Sequence, residues 1–152
     1  MSTYPLVPVR TSRNPLPSVI LDANILILAV ETRFPLDTEI ARILGQADVL
    51  VPSSVSRELK RLERKGLKSA RAAIRFAARY RIFDTDLDGD AAMETLGREL
   101  DAWVVTLDRE LRSRLEEHSV GVLFPCGRQR LCASRGPIPT RRGDGSKPRP
   151  GP

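Results

Sequence analysis

Residues 19–30, VILDANILILAV, constrain the fold of this chain more than any other stretch. An aliphatic run of three residues ends at the carboxylate of Asp22, and a second apolar run begins after Asn24. This order is typical of a buried parallel strand that leads into a helix. Ligands bind parallel sheets at the carboxyl ends of the strands, and a charge there needs a partner or a metal. Asp22 is therefore a candidate functional residue, although Asp22 or Asn24 could instead serve only as the helix N-cap.

Short apolar segments alternate with amphipathic helical segments along the rest of the chain. The pattern predicts strands near residues 18–22, 49–51, 81–83, 103–105 and 120–124, and helices near residues 24–32, 36–44, 54–66, 67–80, 89–100 and 109–117. This alternation predicts an α/β fold, a three-layer α/β/α sandwich around a central parallel sheet of four to five strands.

The charge distribution divides the chain into a body and two ends. The net charge is +6, yet residues 18–125 carry 16 Lys and Arg against 18 Asp and Glu, so the basic excess belongs to the ends. We predict an extended arm at residues 1–17, one domain at 18–131 and a disordered basic tail at 132–152. Basic ends on a compact body favour a polyanionic partner, most simply nucleic acid, although they could serve only to keep the chain in solution.

Cysteine content and hydropathy indicate the setting in which the chain works. Cys126 and Cys132 have no further ligand-type neighbours, so we expect neither a disulfide framework nor a zinc site. No apolar run reaches the roughly 18 residues that a membrane span needs, and the N-terminus lacks the pattern of a signal peptide. We therefore expect a cytoplasmic protein with no membrane partner.

Four acidic residues follow the predicted strands near the point where each strand ends. Asp22 follows the first strand, and Glu58 lies about one turn into the helix after the second. Asp90 begins the helix after the third strand, and Asp108 follows the fourth. Because these strand ends are neighbours in a parallel sheet, we expect the four carboxylates to converge. Clustered carboxylates repel each other and are best tolerated around a divalent cation, and oxygen ligands favour Mg²⁺ or Mn²⁺ over zinc.

A metal ion held by these acids beside basic residues is the layout for phosphodiester hydrolysis. Asn24 and Thr106 could hold a carboxylate or a metal-bound water by hydrogen bonds. Basic residues recur at spacings of three and four through residues 57–79, which makes one basic stripe if the two helical segments are coaxial. An ordinary solvated helix face explains the same pattern. The candidate nucleic-acid-binding residues are Arg57, Arg61, Arg64, Lys68, Arg109, Arg128 and Arg130.

The order LDANIL, SVSREL, a helix-opening Asp and VVTLDREL resembles the PIN-domain endoribonucleases over residues 18–131. The acids of that family would fall on Asp22, Glu58, Asp90 and Asp108. The ending VGVLFPCGRQRL resembles the archaeal and eukaryotic branch related to the small-subunit rRNA-processing nuclease more than the VapC toxins. The resemblance implies cleavage of single-stranded RNA that depends on Mg²⁺ or Mn²⁺, with pre-rRNA or ribosomal particles as partners. It also implies a homodimer, because many domains of this family pair.

Several alternatives stay open at this stage. The third acid could be Asp88, because family members often have two adjacent acids where this chain has one glycine between Asp88 and Asp90. The loop DTDLDGD resembles a calcium-binding loop but lacks the Glu that such a loop needs at position twelve. The order Asp22-Ala23-Asn24 could suggest a phosphatase with an aspartyl nucleophile, but Asn24 cannot donate the proton that such an enzyme requires. A toxin ribonuclease with an antitoxin partner shares the proposed chemistry. A non-catalytic RNA-binding scaffold is the alternative from a different class.

Overall fold

The structure, a computed structural model, describes residues 16–134. The predicted arm up to residue 15 and the predicted tail from residue 135 lie outside the described residues. The strands are β1 (Ser18–Leu21), β2 (Asp48–Pro52), β3 (Arg81–Phe83), β4 (Trp103–Val105), β5 (Val122–Pro125) and β6 (Leu131–Ala133). The helices are α1 (Ala23–Thr32), α2 (Leu36–Leu44), α3 (Ser53–Arg64), α4 (Lys68–Ala77), α5 (Gly89–Glu99) and α6 (Arg109–Glu117).

The six strands form one sheet in the order β3-β2-β1-β4-β5-β6. Strands β1 to β5 are parallel, and β6 pairs antiparallel with β5 at one edge. The predicted α/β architecture is confirmed. The sheet, however, has one strand more than predicted and is mixed, because β6 follows β5 through a hairpin that the apolar pattern did not reveal.

The direction in which the chain builds the sheet reverses after β3. The first three strands are added outward from β1, and the chain then returns to place β4 on the other side of β1. Right-handed crossovers therefore put α1 to α4 on one face of the sheet and α5 and α6 on the other. In open α/β sheets such a reversal opens a crevice at the carboxyl ends of the two strands that flank it, here β1 and β4.

The central strands are buried on both faces. In β1, Val19, Ile20 and Leu21 are fully buried, and the three residues of β4 are buried as well. The apolar side of α3 packs Val55 and Leu59 into the same core. Burial of this apolar surface fixes the sheet, so residues that directly follow β1 and β4 are held on a rigid support.

The hairpin between β5 and β6 corrects the expectation for the cysteines. Cys126 and Cys132 are joined by a disulfide, with their Cα atoms 5.7 Å apart, because antiparallel pairing brings the two ends of the hairpin loop together. The Glu39 carboxylate of α2 accepts hydrogen bonds from the Leu131 amide and from Arg42, which hold its pKa at about 2 and anchor β6 to α2. Strand β6 extends to Ala133, beyond residue 131, where the sequence predicts that the domain ends.

Helices α3 and α4 pack side by side and are not coaxial. Gly66 lies between them with φ of 102°, a left-handed conformation that glycine adopts readily and that lets the chain turn back. The condition for one continuous basic stripe over both helices is therefore not met. Among residues 16–134, no helix combines the length and the apolar character that crossing a membrane requires.

Candidate active site

The crevice between β1 and β4 carries two of the predicted acids. Asp22 is the N-cap of α1 directly after β1, and Asp108 is the N-cap of α6, three residues after β4. The Asp22 amide continues the ladder between these strands by donating to the Val105 carbonyl at 3.1 Å. The position of both carboxylates is thus set by the backbone pairing of two buried strands.

The hydroxyl of Thr106 joins these two acids. It donates to Oδ2 of Asp22 at 2.7 Å and accepts the backbone amide of Asp108 at 3.1 Å. It also receives a weak bond from the Asn24 amide at 3.4 Å, while Oδ1 of Asn24 accepts the Leu107 amide. Thr106 is 1% exposed, so water cannot replace these bonds. Thr106 and Asn24 therefore hold the loop after β4 against the start of α1.

Asp22 is under electrostatic strain. Burial raises its pKa above the ordinary value of 3.8, and the nearby charges of Asp90 and Asp108 raise it further. Hydrogen bonds from Thr106 and from the Ala23 amide oppose that rise by stabilising the charged form. Three of the four predicted acids thus lie close enough to affect one another, and a cation among them would relieve their repulsion.

Glu58 and Asp90 differ from the first two acids because each pairs with an arginine. Glu58 accepts from Arg61, one turn further along α3. Asp90, in the first turn of α5, pairs with Arg114 of α6, which also binds Glu94 at 2.7 Å. These two carboxylates carry their own counter-charges within the fold.

Asp88 and Asp90, the two candidates for the third acid, face different partners. Asp88 pairs with Arg57 at 2.8 Å, and its side chain is 74% exposed. Asp90 is the one of the two whose charge acts on Asp22. Asp90 therefore stays the predicted third acid, with Asp88 as the alternative.

All of these acids line one open cleft of about 740 Å³, which we call the acid cleft. Its acidic lining consists of Asp22, Glu58, Asp88, Asp90 and Asp108, and its α3 side adds Ser54, Arg57, Arg61 and Arg64. Within residues 16–134, no three Asp, Glu, His or Cys side chains are gathered closely enough to form a ready-made metal site. In the acid cleft, carboxylates therefore surround an open space, and the arginines of α3 line one side of it.

The candidate RNA-binding residues fall into three groups. Arg57, Arg61 and Arg64 line the acid cleft. Lys68 begins α4 and Arg109 begins α6, outside the cleft lining. Arg128 and Arg130 are exposed in the hairpin loop between β5 and β6. The seven residues thus do not form one surface around the acids.

Arg57 is already engaged by the protein. Its guanidinium donates to the carbonyls of Thr85 and Leu87 and to the Asp88 carboxylate. It therefore fastens the loop between β3 and α5 to α3. That loop leads directly into the first turn of α5, where Asp90 lies.

Two residues of the site carry no signal in the sequence pattern. Arg114 is one of several arginines on α6, and only the packing of α5 against α6 reveals its pairs with Asp90 and Glu94. Ser54 reads as a helix-capping residue, yet its side chain is buried in the wall of the cleft.

Solved structures with the same fold are known. The structure titled "Structure of the PIN domain endonuclease Utp24" matches with a TM-score of 0.66 and 20% identity, over 82% of this chain and 96% of that chain. A domain of a functionally unknown protein from Methanocaldococcus jannaschii DSM 2661 matches with a TM-score of 0.52 and 16% identity, over 74% of this chain and 93% of that chain. No curated protein matches this sequence.

The family comparison covers most of the described chain. A family model described as "PIN like domain" matches residues 19–130, from the second residue of the buried strand β1 to the residue before β6. This range contains every residue of the acid cleft. The chain belongs to the PIN-like domain family.

Proposed function

We propose that this protein is an endoribonuclease that uses Mg²⁺ or Mn²⁺ to hydrolyse phosphodiester bonds in single-stranded RNA, in the processing of rRNA or other RNA. The observation that carries the proposal is that Asp22, Asp90 and Asp108 line one cleft beside the crevice between β1 and β4, where the charges of Asp90 and Asp108 act on Asp22. Family membership supports the nuclease class, since the similar structure of Utp24 is that of a PIN domain endonuclease.

The donor set of the acid cleft fits a hard divalent cation. Carboxylate oxygens are the ligands that Mg²⁺ and Mn²⁺ prefer, and the one histidine of the chain, His118, lies at the far end of α6 from Asp108. Asp22, Asp90 and Asp108 would hold the ion, and Glu58 would join them after leaving Arg61. Such an ion would supply an activated water and stabilise charge on the phosphate and the leaving oxygen.

The chain's own residues prepare this chemistry. Thr106 fixes one oxygen of Asp22, and backbone amides of α6 fix Oδ1 of Asp108, so neither carboxylate is free to turn away. Oriented ligands lose little conformational freedom when they bind an ion. Asn24 keeps the loop after β4 in place and is a hydrogen-bonding group beside the reacting phosphate.

The basic residues of the acid cleft are expected to bind the RNA backbone. Arg64 lines the cleft, and no ion pair to it occurs within the described part of the chain, so it is available to a phosphate. Lys68 at the start of α4 and Arg109 at the start of α6 lie outside the cleft lining and would contact RNA beyond the cleft. Single-stranded RNA is the expected substrate, because the open cleft lets a flexible strand bring one phosphate to the acids.

The proposal is tested by cleavage of an end-labelled single-stranded RNA with Mg²⁺, with Mn²⁺ and with EDTA. We expect cleavage with either ion, none with EDTA, and none by Asp108→Asn, whose amide can still cap α6. The matched control is Glu110→Gln, an exposed residue of the same helix turn. Binding without cleavage under all conditions would reject the nuclease and favour an RNA-binding scaffold. Growth arrest on expression, relieved by a co-expressed neighbouring gene, would favour the toxin.

A further inference from the structure

The hydroxyl of Ser54 is a buried polar atom with nothing to bond. It is the one buried side-chain oxygen or nitrogen among residues 16–134 that has no hydrogen-bond partner, and the residue is only 5% exposed. A buried hydroxyl without a partner destabilises the folded state compared with one that is satisfied. Alanine at the same position would avoid this cost, so packing alone does not account for the serine.

The place of Ser54 in the fold points to a function in the acid cleft. It lies in the first turn of α3 and lines the same cleft as the acids. Because its oxygen is closed off from water, an incoming phosphate cannot reach it directly. The partner must therefore come from a side chain of the cleft wall.

Glu58 is the acid that helix geometry brings to Ser54. The two residues are four positions apart on α3, and both line the cleft, so they share one face. Side chains on a helix tilt toward its N-terminus, which leans the Glu58 carboxylate over the turn that contains Ser54. At present that carboxylate is bonded to Arg61, which approaches it from the next turn.

Arg61 has a reason to leave Glu58 when nucleic acid enters. Its side chain is 49% exposed and lines the cleft, and arginine binds phosphate through two parallel hydrogen bonds. Exposed pairs such as this one are weak and exchange readily. A Glu58 carboxylate that lost Arg61 would then need another donor to stay oriented.

We propose that Ser54 is a positioning residue whose hydroxyl donates to the Glu58 carboxylate once Arg61 has turned from Glu58 to a phosphate of bound RNA. This inference rests on the proposed nuclease function for the identity of the incoming phosphate. The exchange keeps Glu58 directed toward the other acids and frees Arg61 for the substrate, so RNA binding itself completes the acid site.

A thermal-unfolding cycle in the absence of metal and RNA tests the contact. Arg61→Met imitates the departure of Arg61. In the wild type, Ser54→Ala should leave Tm unchanged or raise it, because it removes an unsatisfied hydroxyl. In the Arg61→Met background, Ser54→Ala should lower Tm by about 2–4 °C, because it then removes a hydrogen bond to a carboxylate. In the Glu58→Ala/Arg61→Met background, the effect should disappear.

Ser56→Ala is the matched control, since Ser56 lies on α3 outside the cleft lining and should shift Tm equally in every background. A Ser54→Ala shift that is the same in all three backgrounds would overturn the inference. A clear loss of Tm in the wild-type background would also overturn it, because the hydroxyl would then have a structural partner.

Cleavage kinetics separate this inference from the proposed function. In an active nuclease, Ser54→Ala should lower kcat about tenfold or more and leave KM within about twofold, as expected for a group that orients a metal ligand. If the wild type cuts no RNA but the unfolding cycle shows the predicted sign change, the nuclease proposal fails and the Ser54–Glu58 contact stands. If the wild type cuts RNA and Ser54→Ala cuts equally well, the positioning role is overturned.

Discussion

The four acids form two pairs that the fold treats differently. Asp22 and Asp108 follow the buried strands β1 and β4 and accept hydrogen bonds only from neutral donors, namely Thr106 and backbone amides. Glu58 lies in the second turn of α3 and Asp90 in the first turn of α5, and both are paired with arginines. The first pair is therefore rigid and short of positive charge, whereas the second pair can exchange one cation for another.

This difference explains how several carboxylates are tolerated around one cleft. If all four carboxylates lacked counter-charges, their repulsion would add to the rise in the pKa of Asp22 that burial already causes. The arginines that pair with Glu58 and Asp90 reduce the negative charge around the cleft. Hydrogen bonds meanwhile hold the carboxylates of Asp22 and Asp108 in place.

The largest effect is expected from Asp22→Asn. Cleavage should fall at least about a thousandfold, because a rigid ligand of the ion is lost at the reacting centre. Tm of the metal-free protein should not fall. The pKa of Asp22 is raised in the folded state, so stability is favoured while the carboxyl is protonated and is lost as pH rises through that pKa. Asparagine should remove this loss above pH 3.8, as measured by Tm against pH.

The control for this substitution is Asp101→Asn. Asp101 is exposed after α5 at φ of 54°, a conformation that asparagine tolerates, so neither cleavage nor Tm should change. A wild-type cleavage rate for Asp22→Asn would contradict the assignment of the rigid pair.

Among single changes that affect Asp22 and Asp108, Thr106→Val should be the most destabilising. It removes the donor to Asp22 and the acceptor for the Asp108 amide in a buried place. The expected loss in the free energy of unfolding is about 1–3 kcal/mol, measured by urea denaturation, with about a 10–100-fold loss of cleavage. Thr106→Ser keeps the hydroxyl and should retain most of both. Equal losses in the two variants would show that the methyl group matters and the hydroxyl does not.

Arg114→Met tests whether the second pair is exchangeable. Arg114 competes with a metal ion for Asp90, so its removal should raise the affinity for Mn²⁺ a few-fold, at a Tm cost of about 2–4 °C. Calorimetric titration measures the affinity. Arg112→Met, whose nearest acid is Glu116 at 3.9 Å, should leave the affinity unchanged. A weaker affinity in Arg114→Met would mean that this arginine orients Asp90 for the metal and does not compete with it.

The smallest effects are expected among the basic residues outside ion pairs. Arg64→Ala and Lys68→Ala should each lower the slope of RNA affinity against salt by about one, as expected for one phosphate contact. Arg79→Ala should leave the slope unchanged, because Arg79 pairs with Asp37 at 2.9 Å. Fluorescence anisotropy over a range of salt concentrations gives these slopes. Equal slopes for all three variants would remove α3 and α4 from the RNA-binding surface.

The parts of the fold that could be predicted from sequence are those that depend on local patterns of apolar and charged residues. The buried run before Asp22 and the run before Asp108 predict strand ends, because aliphatic residues followed by a carboxylate have few other uses. The antiparallel strand β6 was missed, since three residues after a loop of glycine and arginine carry no periodicity. The disulfide was missed because it depends on the hairpin that β6 forms.

Pairing between distant side chains is what the sequence could not supply. The turn at Gly66 decides whether the basic residues of α3 and α4 share one surface, and its positive φ is not encoded by the spacing of the arginines. Asp88, the acidic partner of Arg57, lies 31 positions away along the chain, and Asp90, a partner of Arg114, lies 24 positions away. Asp88 and Asp90 likewise differ in their partners, Arg57 for Asp88 and Arg114 for Asp90, which the sequence does not reveal.

The most direct test of the account is the binding of Mn²⁺ to the RNA-free protein, measured by isothermal titration calorimetry. We predict saturable binding of Mn²⁺ that is lost in Asp22→Asn and in Asp108→Asn and is retained in Asp101→Asn. Wild-type protein that binds no Mn²⁺, or that binds it equally well after both substitutions, would contradict the claim that the crevice between β1 and β4 is a metal site.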